Sequence, residues 1–141
     1  MTQPGRVSLG RCLFAGLMCG GGAGVGANLV AAAISSVTAH MYEELAPIPI
    51  AGYAVGTSLV AGLLFCVVAR RSENPPVLFG AATVFAASLA SVWILTCRPL
   101  SFAEIAIPAE LTVVVVMIGV VPRLALAPGR RGPAGPTLSI Q

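Results

Sequence analysis

The sequence has no aspartate, no lysine and a single histidine, and its charge is confined to eight basic and five acidic side chains among 141 residues. Each shortage excludes something. A soluble domain covers itself with a polar exterior in which about a quarter of the residues are charged, and 9% charged residues cannot supply one. His40, the sole imidazole, makes a histidine-rich metal centre impossible, and the loop that carries it beside Glu43 and Glu44 reads as a solvated connection. Cys12, Cys19, Cys66 and Cys97 form no C-x-x-C pair, which argues against a membrane thiol oxidoreductase and indicates no exported disulfide. No serine has a base near it within the apolar segments, so nucleophilic catalysis has little material. The chain is expected to be no enzyme, to hold no cofactor or metal, and to bind no nucleic acid.

What the chain does have is apolar length. Hydrophobic residues make up 57% of it, and the charges leave four long gaps, after Arg11, Glu44, Glu73 and Glu110. A helix needs about 20 apolar residues, rising 1.5 Å each, to cross a hydrocarbon core of roughly 30 Å. The expected architecture is an all-α, four-transmembrane-helix bundle with helices at about 11–38, 48–70, 77–97 and 104–126. A transmembrane domain over 11–127 would follow a cytoplasmic segment 1–10. The Pro, Gly and Arg-rich stretch 128–141 has no apolar periodicity and is expected to be a disordered cytoplasmic tail drawn to anionic lipid.

Arginine sets the expected orientation. In a four-span arrangement Arg6, Arg11, Arg70, Arg71, Arg123, Arg130 and Arg131 share one side and Arg98 alone occupies the other. The positive-inside rule then predicts both termini in the cytoplasm, N-in/C-in, in a multi-pass protein of the cell membrane. Tyr53 and Trp93 would lie near the outer interface, where amphipathic rings settle. Helix 1 with "VTAH" after it has the outline of a signal peptide, but its apolar run is about twice the 7 to 15 residues of such a region.

Five glycines fall between Gly20 and Gly26, and Gly22 to Ala27 spells the dinucleotide fingerprint G-x-G-x-x-A. The fingerprint functions only between a strand and an amphipathic helix, whereas these flanks are continuously apolar. On a helix, Gly16, Gly20, Gly24 and Asn28 recur every four residues, the small-xxx-small pattern by which membrane helices approach closely. Gly52 and Gly56, then Ser58 and Gly62, repeat it in helix 2, and small residues recur in helix 3. Helices 1 to 3 are therefore expected to pack tightly, with the valine-rich helix 4 as a lipid-exposed wall. Asn28 should face protein, since an amide facing lipid would be unsatisfied.

Glu110 has two readings. Pro108 as a first helical residue would leave Glu110 at the interface, complementing the helix dipole, and this is the favoured placement. "SFAE" at 101–104 as a capping box would start the helix earlier and bury Glu110 two turns in, where it would suit proton-coupled transport. Pro122 is expected to kink the end of helix 4 while Arg123 snorkels to the headgroups.

"GANLVAAA", "GLLFCVVARR", "AASLASV" and "VVVVMIGVVPRLAL", spread over 16–127, resemble a family of small four-span proteins of high-GC actinobacteria and their relatives. The resemblance implies a four-helix inner-membrane architecture and no known activity; where members often carry a histidine after the helix 4 methionine, Ile118 stands here. A fainter similarity is to the small fluoride channels, through the glycine-rich first helix and Gly56-Thr57. Their helix 2 asparagine and their helix 3 threonine- and phenylalanine-rich motif are missing.

Two functions remain open. One is a non-catalytic structural, accessory or oligomer-forming protein that contacts the bilayer and either itself or another membrane protein through Gly16, Gly20, Gly24, Asn28, Gly52, Gly56 and Gly62. The alternative is a small transporter or ion channel with a polar path through Asn28, Ser88, Ser91 and Glu110.

Overall fold

The computed structural model describes residues 8–127; the expected tail and most of the expected N-terminal segment lie outside them. The described chain is all-helical, with α1 (Leu9–Thr38), α2 (Pro47–Arg71), α3 (Pro75–Cys97) and α4 (Leu100–Leu126), and a short 3-10 turn, Glu43–Leu45. All four helices are long and apolar enough to span a membrane.

Their ends follow local chemistry. Ser8 caps α1, its hydroxyl accepting from the Arg11 amide at 3.3 Å. The same helix stops where Ala39 turns left-handed at φ 56° and donates to the Ser35 carbonyl. Prolines, whose missing amide costs nothing in a first turn, open α2 at Pro47 and α3 at Pro75. In α4 the helix begins directly after Pro99, so Pro108 and Pro122 lie inside it. The early start of the alternative reading is the one found, but without its capping box, because Ser101 is already helical and its hydroxyl is hydrogen-bonded to that of Tyr42.

Helix α1 is the centre of the packing, antiparallel to α2 on one flank and to α4 on the other. Its seam with α2 has almost no side chain in it. A methyl group placed on Gly16 would lie 2.6 Å from the Ser58 carbonyl oxygen, one on Gly20 2.7 Å from the Val55 Cα, and one on Gly62 2.5 Å from the Cys12 carbonyl oxygen. Farther along, Gly24 faces Ala51 and Asn28 reaches Pro47, so the partners descend α2 as α1 rises. Backbones this close gain dispersion contacts that lipid cannot match.

The expectation that α3 joins this seam while α4 faces lipid is overturned. In α3 the buried residues are Phe79 and Ala87, whereas α4 buries a full face that includes Ala103, Ala106, Ala109, Val113 and Val121. The reason is a second small stripe on α1, Ala15, Cys19, Ala23, Ala27 and Ala31, also spaced by four and buried. Alanines of α4 settle near it despite the valine run, because the valines that face outward, such as Val115, lie on the opposite side of that helix. The chain thus closes a four-sided bundle with two tight sides, α1 with α2 and α1 with α4, and two loose ones along α3.

Two tests follow from the seam. Gly16→Ala and Gly62→Ala each force backbone apart and should lower unfolding free energy in mixed micelles by about 1–3 kcal/mol, while Gly21→Ala, which meets nothing within 4 Å, should not. Ser58 Oγ is buried with no hydrogen-bond partner among the described residues. Ser58→Ala should therefore leave stability unchanged or raise it by up to about 1 kcal/mol, measured in the same titration.

Candidate functional site

The loose sides of the bundle leave a lateral groove between α2 and α3, floored by α4. Two adjoining cavities occupy it, one of about 320 Å³ toward Glu44 and Arg98 and one of about 540 Å³ running past Val60 and Leu64 toward Val68. Tyr53, Ala90 and Glu110 line both and so mark their junction. The surroundings are otherwise apolar because the hydroxyls nearby are turned back on their own helices. Thr57 donates to the Tyr53 carbonyl at 2.7 Å and Thr83 to that of Phe79 at 2.8 Å.

Glu110 and the Tyr53 phenol are the exceptions, and the placement of Glu110 corrects the interfacial reading. Since α4 starts at Leu100 and not at Pro108, the carboxyl stands ten residues, about 15 Å of helical rise, inside the helix. It is 7% exposed. Ser91 on α3 donates to Glu110 Oε2 at 3.4 Å, a long hydrogen bond and the one side-chain bond that reaches the carboxyl among the described residues. Pro108, lacking an amide, leaves the Glu104 carbonyl without its usual helical donor just before this point.

The mouth of the smaller cavity is charged but internally paired. Arg98 Nη1 lies 3.3 Å from Glu44 Oε1, and the guanidinium sits 5.2 Å over the Phe102 ring. Phe102 in turn meets Tyr42 edge-on at 5.2 Å. This cluster ties the α1–α2 connection to the start of α4.

The remaining residues of the expected polar path do not join Glu110. Asn28 Nδ2 donates to the Gly24 carbonyl at 2.8 Å and the Pro47 carbonyl at 3.3 Å, and it borders a separate hollow with Tyr42 and Pro47. Ser88 is exposed and donates to the Val84 carbonyl at 2.9 Å. Ser91 alone bonds Glu110, and Ser88 shares with Ser91 a separate shallow hollow between α3 and α4. Of the expected packing residues, Gly16, Gly20, Gly24, Asn28 and Gly62 lie at the α1–α2 seam. Gly52 and Gly56 have nothing within 4 Å of an added methyl group, and Gly56 borders the larger cavity.

Sequence reasoning missed the participation of Tyr53 and Ala90. Tyr53 reads as an interfacial ring, and one signal for its second role is its four-residue spacing to Thr57 on the same face of α2. Ala90 carries no signal beyond its small size. No protein-family model, curated protein or solved structure matches the chain, so the site is interpreted from its own residues.

The hydrogen bonds make a distinguishable prediction. Asn28→Ala removes the tie between α1 and the start of α2 and should cost about 1–2 kcal/mol. Ser88→Ala loses a bond within one helix and should cost under about 0.5 kcal/mol, both read from thermal unfolding in detergent.

Proposed function

We propose that this protein is a non-catalytic integral membrane protein whose α2–α3 groove receives a guest from within the bilayer. The observation that carries the reading is Glu110, a carboxyl buried near the middle of a membrane helix yet lining both cavities of a groove that is otherwise apolar. Ionisable groups at such depth are costly and are kept where they serve a site. The scaffold reading of the glycine stripes is compatible with it, since α1, α2 and α4 form the fixed part and α3 the loosely held wall. A continuous polar path for transport is not favoured, because Asn28 and Ser88 bond backbone carbonyls away from the groove.

The reading also places the protein in the cell membrane with both termini in the cytoplasm. Arg11, Arg70, Arg71 and Arg123 cluster at the face where α1 begins and α4 ends, and Arg98 stands with Glu43, Glu44 and Glu104 at the other. The two ends of that face are joined, Arg11 Nη1 donating to the Ala127 carbonyl at 3.0 Å. A fluorescent reporter fused after Gln141 should be active in the cytoplasm, and a periplasmic phosphatase fused there should be silent; the reverse pattern would invert the orientation.

Photo-crosslinking tests the groove itself. Benzoylphenylalanine at Val60, inside the larger cavity, should give an adduct of discrete mass in native membranes that is missing at Leu17, on the outward side of α1. Phospholipid adducts alone at both positions would remove the guest reading.

A further inference from the structure

Among the described residues none supplies a counter-charge for Glu110. The chain has no lysine, its one histidine lies in the α1–α2 connection, and the arginines among the described residues all stand at helix ends. Arg98 borders the smaller cavity, but its guanidinium is engaged by Glu44 and lies over Phe102, eight residues or about 12 Å of helical rise from Glu110. Ser91 offers one long hydrogen bond to one carboxyl oxygen. An ionised carboxyl among hydrocarbon needs a partner of opposite sign or several good donors; the described residues give it no opposite charge, only the Ser91 hydroxyl and, at the same cavity junction, the Tyr53 phenol.

We infer that Glu110 binds the charge of a lipophilic organic cation whose apolar arms occupy the two cavities. The inference rests on the groove being a guest site and names the class of guest. Three features specify it. The carboxyl stands at the junction of two apolar compartments, so the guest carries its charge between hydrophobic groups and not at one end. Tyr53 and Trp93 border the smaller cavity, and aromatic rings are the side chains that attract a diffuse positive charge. The volumes, about 320 and 540 Å³, are those of small-molecule sites and not of a packed helix. The described part of a second copy would bring no basic side chain to this depth, since the arginines among those residues are at the helix ends. Entry is lateral, from lipid, because the groove opens between α2 and α3 while the mouth near Glu44 is spanned by an ion pair.

Trp93 is the single tryptophan and borders the site, so its emission reports occupancy without a label. The full chain in nanodiscs of phosphatidylcholine would be titrated with tetraphenylphosphonium and, separately, with triphenylphosphine oxide, a neutral molecule of related shape. The cation should change Trp93 emission saturably and bind at least about tenfold more tightly than the neutral compound. Glu110→Gln, nearly isosteric, should weaken the cation about tenfold or more and leave the neutral compound unchanged. Ala90→Phe, which fills the junction from α3, should abolish saturable binding of both, with folding checked by thermal unfolding. Equal affinities for the two compounds, or a cation affinity unaffected by Glu110→Gln, would overturn the charge assignment and leave the groove as a site for neutral guests. No saturable response to either compound would overturn the guest reading as well.

Discussion

The contact on which the molecule depends is the meeting of two bare backbones, Gly16 and Gly20 of α1 against Ser58 and Val55 of α2, with Gly62 against Cys12 at one end. In lipid there is no hydrophobic gain from bringing helices together, so a bundle is held where surfaces fit most closely. Glycine permits that fit on one flank of α1. The alanine and cysteine stripe from Ala15 to Ala31 permits a second one close by, and α4 occupies the other side of the helix.

The looseness of α3 is a consequence. With α1 enclosed by α2 and α4, the third helix meets neither small-residue stripe of α1 and is held by scattered contacts. Phe79 stands edge-on to Phe65 at 5.3 Å, and Ser91 meets Glu110. A wall fastened at a few points leaves volume between them. That volume is the groove, and its apolar character follows from hydroxyls such as Thr57 and Thr83 satisfying themselves within their own helices.

Glu110 acquires its meaning from this geometry. The same carboxyl at a helix start would be a solvated partner of the helix dipole; ten residues inside α4, it faces a largely apolar hollow, bonded by the Ser91 hydroxyl with Tyr53 at the same junction. Pro99 decides between the two, since it ends the connection after α3 and lets the helix begin at Leu100, carrying Pro108 inward as an internal proline. A proline's preference for the first turn is weaker than the need of a membrane segment to keep its backbone hydrogen-bonded.

The sequence by itself determined the class, the number of apolar helices and the close-packing stripe of α1, because charge spacing and small-residue spacing are local and bear directly on what lipid tolerates. Asn28 was legible because an amide on the close-packing stripe must find carbonyls, and it finds those of Gly24 and of Pro47 at the start of α2. Which helices flank α1, that Gly52 and Gly56 stay open, and that Tyr53, Ala90 and Glu110 share one junction were decided only by the tertiary structure. Alanine, cysteine and valine are compatible with both lipid and protein neighbours, so their spacing leaves the choice of partner to the global competition among four nearly equally apolar surfaces.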